Sequence, residues 1–207
     1  MEELFLDVET TGTWLDGSLF SHTTRSGDYY YWDDLTEVAV CNADGEKVYR
    51  TFVRPPKYRY FMYLSKWYPA EKPLGAKNSD WRQAINGRTP AQVIKDLSLL
   101  LPGTRVIVHN LSFDRKVLED SYAVSKGLSS PQAIEELIPG TEFVCSKVRA
   151  TRVLPRAEAH YPSCGEFCNG HKLTHLHHQF GFGDYDEHDP LADVQALAKV
   201  WDVLRTK

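Results

Sequence analysis

The feature that most constrains the fold is an apolar run near the amino terminus that carries two carboxylates. Residues 4–9 read Leu-Phe-Leu-Asp-Val-Glu, a pattern that predicts a strand. Alternate residues of a strand point to the same face, so Asp7 and Glu9 would converge at one end of it. Carboxylates are rarely buried unless a partner compensates them. This arrangement therefore calls for a cation.

Composition limits the class of protein. The 207 residues are 42% hydrophobic and 25% charged, which is typical of one globular domain. No apolar run reaches membrane-spanning length and the amino terminus does not resemble a signal peptide, so no membrane partner is predicted. The four sparse cysteines do not suggest a disulfide framework, and a cytoplasmic location is the simplest prediction. The net charge of −4 means that any nucleic-acid contact depends on local patches.

Strand-like runs come first and then alternate with helical patterns, which predicts an α/β domain with a mixed sheet covered by helices. The predicted strands are 3–9, 36–41, 46–53, 104–109 and 141–145, with a hairpin turn at 42–45. The predicted helices are 90–101, 113–125, 131–137, 171–180 and 190–205. We interpret 1–207 as a single domain, and its long loops as insertions near 13–34, 54–80 and 155–170.

Further acids stand at the ends of predicted elements. Asp114 follows strand 104–109, and Asp193 lies in the last helix, shortly after His188. Together with Asp7 and Glu9 they suit a site for two hard divalent ions about 3.5–4 Å apart, which is a phosphoryl-hydrolysis arrangement. An imidazole on a loop can take the proton from an attacking water. The alternative for each acid alone is an ordinary solvated carboxylate.

Three motifs resemble those of the DEDD family of 3′–5′ exonucleases, in the histidine-bearing (DEDDh) type found in polymerase proofreading subunits. They are LeuAspValGluThrThrGly at 6–12, HisAsnLeuSerPheAsp at 109–114 and HisAspProLeuAlaAsp at 188–193. Residues 170–182 also resemble the family's helix before the third motif. The resemblance implies a ribonuclease H-like fold, which is a five-stranded mixed sheet with helices on both faces.

The resemblance also implies roles for single residues. Asp7 would bridge two Mg²⁺ or Mn²⁺ ions, and Glu9 and Asp193 would complete the ion that holds the attacking water. Asp114 would serve the second ion and His188 would be the general base. The predicted substrate-binding residues are Thr10, Thr11, Gly12, His109, Asn110 and Phe113. His109 has an alternative role in closing its strand by bonding to backbone, and Asn110 in fixing the turn before the helix.

Two regions mix positive charge with features suited to single-stranded nucleic acid. Residues 54–80 interleave Lys and Arg with Tyr, Phe and Trp, so they could track phosphates and stack bases. A second group has Arg149, Arg152 and Arg156 at helical spacings of three and four, which would place them on one face, with Lys147 beside them. The alternatives are an aromatic insertion that folds onto the sheet and a solvated basic face. The insertion 13–34 follows the first motif and could flank the terminal base.

A cluster of potential zinc ligands precedes the third motif. His160, Cys164, Cys168 and His171 stand at short spacings, with His175 close behind. Three residues separate the two cysteines, which is permitted for zinc but is not diagnostic. The alternative is a loop with two free thiols, and His171 already fits the ordinary family pattern without a metal. A structural Zn²⁺ is therefore an open prediction.

The sequence favours a metal-dependent 3′–5′ exonuclease that releases nucleoside monophosphates from single-stranded DNA or RNA 3′ ends. A polymerase partner is one option and a freestanding enzyme is the other. A non-catalytic nucleic-acid-binding module on the same fold is a rival, and so is an oligoribonuclease-like enzyme for very short substrates.

Overall fold

The computed structural model describes residues 1–10, 35–54, 86–154 and 171–207, together with the backbone of 22–23 and 29–30. The three predicted insertions lie almost entirely outside these residues, so the predictions made for them stay predictions. Among the helices of the described residues, none has both the length and the apolar character that a membrane span needs.

A five-stranded mixed sheet forms the centre of the described structure, as predicted. The strands are β1 Glu3–Thr10, β2 His22–Thr23, β3 Tyr29–Tyr30, β4 Leu35–Asn42, β5 Lys47–Phe52, β6 Arg105–Val108 and β7 Glu142–Cys145. The spatial order in the sheet is β5-β4-β1-β6-β7, with β1 in the middle. Strands β1, β4 and β5 pair antiparallel, whereas β1, β6 and β7 pair parallel. Strands β2 and β3 form a separate two-stranded ladder.

The turn between β4 and β5 is the predicted hairpin. The Gly45 amide donates to the Asn42 carbonyl at 3.0 Å, and Gly45 has a φ of 77°, a conformation that glycine adopts without strain. The Asn42 side-chain oxygen accepts hydrogen bonds from the amides of Asp44 and Glu46. These local contacts are of the kind that Asn and Gly impose on a turn, and the prediction for 42–45 is confirmed.

The helices are α1 Pro90–Leu100, α2 Leu111–Lys126, α3 Ile134–Leu137, α4 Ser146–Val153, α5 Leu173–Gln179 and α6 Pro190–Leu204. They follow most of the predicted ranges and differ in two places. Helix α3 is shorter than the predicted 131–137, because the Glu119 carboxylate accepts the Ile134 amide at 2.7 Å and the helix begins there. Helix α4 was absent from the predicted helices, since the residues that it buries, Ser146 and Ala150, are too small to give an apolar signal.

Helices cover both faces of the sheet, as predicted. Helices α1 to α3 pack on one face against a cluster that includes Leu4, Leu6 and Val8. Helices α4 to α6 pack on the other face against a cluster that includes Phe5 and Ile107. Because side chains alternate along β1, the residues in register with Phe5 are Asp7 and Glu9. The two acids therefore lie on the face covered by α6.

Candidate metal centre

Asp7 and Glu9 lie where β1 runs past its parallel neighbour. The pairing of β1 with β6 ends at Phe5 and Ile107, so the following part of β1 has no strand on that side among the described residues. On its other side β1 stays paired with β4, and the register shifts between Glu9 and Thr10. Irregular pairing of this kind often re-aims side chains near active sites. The end of β1 thus presents its acids at an edge where other elements can approach.

Helix α6 brings the third acid to this place. Asp193 lies in the first turn of α6, and each of Asp7, Glu9 and Asp193 offers one carboxylate oxygen within 4.8 Å of the others. Glu9 is buried, whereas Asp7 and Asp193 are partly exposed. Three converging carboxylates provide the oxygen ligands that Mg²⁺ and Mn²⁺ prefer.

Asp114 approaches from the other side of β1. It lies in the first turn of α2 and is buried, and its carboxylate accepts hydrogen bonds from the backbone amides of Val8 and Asp114. The Val8 amide belongs to the part of β1 that β6 does not pair, so Asp114 satisfies a backbone donor there. Asp114 is not in the three-residue group, but its charge acts on both Asp7 and Glu9.

Burial raises the pKa values of all four acids in the metal-free protein, and charges within the group raise those of Asp7, Glu9 and Asp114 further. The pKa of Glu9 rises to about 8, chiefly through burial and then through the charge of Asp193. Burial raises the pKa of Asp114 to about 7 and that of Asp193 to about 6. The pKa of Asp7 lies well above its usual value because of burial and the charges of Asp114, Asp193 and Glu9.

A divalent cation fits this group of residues. Among the described residues, no Lys or Arg forms an ion pair with any of the four acids. Converging carboxylates without a counter-charge are unfavourable, and a bound ion would reverse the upward pKa shifts. The donor set is made only of oxygens, which favours Mg²⁺ or Mn²⁺ over softer metals.

His188 stands beside the acids in an unusual backbone conformation. It precedes α6 with a φ of 68°, which is costly for a residue other than glycine by about 1–2 kcal/mol. Its amide donates to Asp193 Oδ2 at 3.0 Å. Strained conformations persist only where surrounding contacts enforce them, and they cluster at functional sites. The contact with Asp193 is one of those that hold His188 here.

Tyr185 donates a second hydrogen bond to Asp193, from its hydroxyl to Oδ1 at 2.9 Å. Burial and the charge of Asp193 raise the pKa of Tyr185, so the hydroxyl stays protonated as a donor. The Tyr185 ring also meets the buried His177 ring edge-on, with 4.9 Å between centroids. His177 in turn donates from Nδ1 to the Gly183 carbonyl at 2.9 Å, which ties this loop to α5.

The predicted substrate residues are distributed around this site. Thr10 is buried at the end of β1, and Phe113 is 36% exposed next to Asp114. The Asn110 carbonyl accepts the amides of Phe113 and Asp114, as expected of a residue that shapes the turn before α2. Thr11 and Gly12 lie outside the described residues.

His109 uses both ring nitrogens within the protein. Nδ1 lies 2.9 Å from Ser146 Oγ, and Nε2 lies 2.7 Å from the His171 carbonyl. Burial lowers the pKa of His109 to about 4, so the ring is neutral at physiological pH. This arrangement matches the alternative in which His109 closes its strand by bonding to backbone.

Of the predicted zinc ligands, His171 belongs to the described residues. It is buried, and its Nδ1 has no hydrogen-bond partner among residues 1–10, 35–54, 86–154 and 171–207. His160, Cys164 and Cys168 lie outside the described residues, so zinc binding stays a prediction. In the basic group, α4 carries Lys147, Arg149 and Arg152, while Arg156 is outside the described residues. Arg149 donates to the Leu204 carbonyl at 3.2 Å, which fixes it to the end of α6.

The sequence interpretation missed a charged group next to Glu9. Glu37 of β4 lies directly opposite Glu9 in the antiparallel pair and is fully buried. Its Oε1 meets Arg50 Nε at 2.6 Å, and Arg50 Nη2 meets Asp189 Oδ2 at 2.9 Å. An acid inside the apolar run of β4 was a signal of the same kind as Asp7 and Glu9. No sequence signal linked Arg50 to Asp189, or Tyr185 to Asp193.

The fold of this chain is similar to that of solved exonuclease I structures. E. coli exonuclease I in complex with a dA16 oligonucleotide matches with a TM-score of 0.62 and 18% identity, covering 99% of this chain and 41% of that one. The chain has a ribonuclease H-like fold. The zinc-bound form of the E. coli exonuclease I complex with single-stranded DNA matches with a TM-score of 0.63 and 16% identity, covering 100% and 41% of the two chains. A product-bound exonuclease I matches with a TM-score of 0.60 and 15% identity, covering 99% and 44%.

These similarities hold at the level of the fold. The chain spans less than half the length of the exonuclease I chains that it matches. No protein-family model matches the chain, and no curated protein matches it by sequence.

Proposed function

We propose that the chain is a metal-dependent 3′–5′ exonuclease of the DEDDh type, acting on single-stranded nucleic acid. The observation that carries the proposal is the convergence of Asp7, Glu9 and Asp193, whose ligand oxygens lie within 4.8 Å of one another. The fold similarity to exonuclease I supports the same class of activity. Converging acids that have no Lys or Arg partner among the described residues are typical of a functional site.

The four acids would hold the metal. Bound divalent ions would stabilise the negative charge that develops on the attacking and leaving oxygens of the phosphodiester. Asp7 and Glu9 are held by the part of β1 that stays paired with β4, and Asp193 is held by the first turn of α6. Asp114 is fixed by the Val8 amide. Rigid elements thus orient every proposed ligand, which a precise metal site requires.

His188 would act as the general base. Its imidazole would take the proton from the water that attacks the scissile phosphate and later release it to solvent. The left-handed backbone at His188 and the hydrogen bond from its amide to Asp193 join the base to a proposed metal ligand. Tyr185 holds the other oxygen of the same carboxylate. The base and the ligand would therefore move as one unit.

Single-stranded DNA is the first substrate to test, because exonuclease I in the similar structures is bound to single-stranded DNA or to the dA16 oligonucleotide. The exposed ring of Phe113 lies beside Asp114, where an aromatic face could stack on a terminal base. RNA remains an open alternative, since the same chemistry serves both sugars. A polymerase partner and a cytoplasmic location remain predictions.

The test is a time course on 5′-labelled single-stranded DNA and RNA with Mg²⁺ or Mn²⁺. The expected result is a ladder that shortens from the 3′ end and is absent with EDTA or in Asp7→Ala. Asp120→Asn, which alters an acid of α2 ion-paired with Lys116, should retain activity. If folded protein leaves both long strands intact, the proposal fails. Cleavage of dinucleotides alone would favour the short-substrate alternative, and binding without cleavage the non-catalytic module.

A further inference from the structure

Arg50 joins two strands of the sheet to the beginning of α6. It lies in β5 opposite Ala39 and so shares the sheet face of Glu37 and Glu9. Its Nε contacts Glu37 Oε1 at 2.6 Å, and its Nη2 contacts Asp189 Oδ2 at 2.9 Å. Two nitrogens of one guanidinium thus reach two carboxylates in different directions. Arg suits such a bridge because its donors form a rigid fork, whereas Lys offers one point charge.

Glu37 fixes Arg50 from the sheet side. The Glu37 side chain is 1% exposed, and its second oxygen, Oε2, is buried with no hydrogen-bond partner in the part of the chain that the structure describes. Burial raises the pKa of Glu37, while the hydrogen bond and charge of Arg50 lower it. A buried carboxylate with one charged partner depends strongly on that partner. The ion pair with Glu37 therefore fixes the Arg50 side chain, which does not move freely in solvent.

Asp189 divides its carboxylate between Arg50 and helix α6. Its Oδ1 accepts the amides of Leu191 and Ala192 at 3.0 Å, which caps the helix, while Oδ2 accepts from Arg50. Its carbonyl accepts the Asp193 amide at 2.8 Å. Both carboxylate oxygens of Asp189 and its carbonyl oxygen thus accept hydrogen bonds, so the residue that follows His188 has little freedom to move.

His188 is consequently held on both sides. Asp189, its neighbour along the chain, is tied to Arg50, and Asp193 accepts its amide hydrogen. A left-handed conformation at a residue other than glycine needs contacts that enforce it. The contact with Asp193 enforces it from α6, and the contact with Arg50 ties the next residue to the sheet.

We propose that Arg50, clamped by Glu37, is a positioning residue that holds His188 through Asp189. This bridge of charged groups fixes the position of the His188 loop relative to the end of β1 that carries the proposed metal ligands. The catalytic significance of this bridge rests on the proposed function, whereas its structural part does not.

Hydrogen exchange tests the structural part without any activity. Asp189→Asn retains an oxygen that caps α6 but replaces the acceptor of Arg50 with an NH₂ donor. Arg50→Lys keeps a positive charge beside Glu37 and so protects the fold. In both variants, the His188 amide should exchange about tenfold faster, because its local opening becomes easier. Arg105→Lys is the matched control, since Arg105 also bridges two carboxylates, Glu3 and Glu142, at the other end of the sheet.

Activity tests the catalytic part through a double-mutant cycle. In the wild-type background, Asp189→Asn and Arg50→Lys should lower kcat about 10–100-fold, as is usual when a partner that orients an active group is lost. KM for the strand should change little. In the His188→Ala background, the same changes should cost less than about twofold, because the group that they position is gone.

The outcomes separate the two proposals. Unchanged exchange at His188 in both folded variants overturns the bridge, whatever the activity. Equal losses of kcat in the wild-type and His188→Ala backgrounds overturn its action through His188. A wild-type chain that cuts no strand contradicts the proposed function, and faster exchange in the variants would still support the bridge.

Discussion

Strand β1 carries one acid, Glu3, at its start and two acids, Asp7 and Glu9, near its end. The side chains around the two ends differ in charge. Glu3 lies 3.6 Å from Arg105, 3.2 Å from Arg205 and 3.3 Å from the Trp201 indole nitrogen. Asp7 and Glu9 meet other acids and have no Lys or Arg partner among the described residues. Among the described residues, one strand thus has an acid with basic partners at its start and two acids without such partners near its end.

The contrast between the two ends of β1 distinguishes an acid that stabilises the fold from acids that belong to a candidate functional site. A compensated acid needs nothing more, and its removal costs little at a solvated surface. Buried acids without a counter-charge make the metal-free fold less stable, and such acids cluster at functional sites. The Glu37–Arg50–Asp189 group stands between these cases, because it is compensated and yet touches the site.

The largest expected effect comes from exchanging the carboxylate in the middle of the acid group. Asp7→Asn should lower exonuclease activity by at least about 10³-fold, since the metal supplies several kcal/mol and each 1.36 kcal/mol is tenfold. Glu3→Gln should leave the rate within about twofold, because its partners are structural. Initial rates on labelled single-stranded DNA measure both. Similar losses in the two variants would break the comparison between the ends of β1.

The next effect concerns the proposed base. His188→Ala should lower kcat about 10²- to 10³-fold, which is the usual contribution of a general base. Binding of Mn²⁺ should remain, because the imidazole is not a proposed ligand. His178→Ala, a change on the exposed face of α5, is the control. Titration calorimetry with Mn²⁺ beside single-turnover rates separates the two effects. Loss of metal binding in His188→Ala would assign the residue to the metal instead.

A third effect appears in stability without metal. The pKa of Glu9 is about 8 in the folded protein and 4.5 ordinarily, so the folded state keeps a proton that the unfolded state releases. Stability in EDTA should therefore fall as the pH rises from 4.5 to about 8. At pH 7 this costs about 3 kcal/mol, which Glu9→Gln should recover.

Urea unfolding at pH 4 and pH 7 measures this effect. The advantage of Glu9→Gln should nearly vanish at pH 4, where wild-type Glu9 is mostly protonated in both states. Added Mg²⁺ should stabilise the wild type more than the variant. Glu3→Gln should show no such gain at pH 7. A less stable Glu9→Gln in EDTA would mean that the acid is compensated after all.

The smallest expected effect is on metal affinity, and it comes from removing a single hydroxyl. Tyr185→Phe removes the donor to Asp193 Oδ1 and should weaken Mg²⁺ binding about tenfold, as the loss of a group that orients a ligand usually does. Tyr49→Phe removes a hydroxyl that donates to Asp96 Oδ2 at the same 2.9 Å, away from the acids. It should leave metal affinity unchanged. Equal affinities in both variants would show that Tyr185 does not orient Asp193.

Much of the candidate site follows from local sequence rules. The alternation along β1 already placed Asp7 and Glu9 on one face, and the amphipathic pattern of α6 placed Asp193 inside a helix. The helix bounds were less secure. The start of α3 depends on Glu119 from another helix, and α4 buries residues too small to give a periodic signal.

Which residues of each element face the same way follows from the order of residues alone, because it depends on the backbone period of the element. What those residues contact depends on how the elements pack together. Glu37 lies opposite Glu9 because of the register between β1 and β4, and Arg50 reaches Asp189 across 139 residues of chain. Strand register and helix packing result from burying both apolar faces of the sheet at once. They therefore depend on residues far apart in the sequence and cannot be predicted from a local pattern.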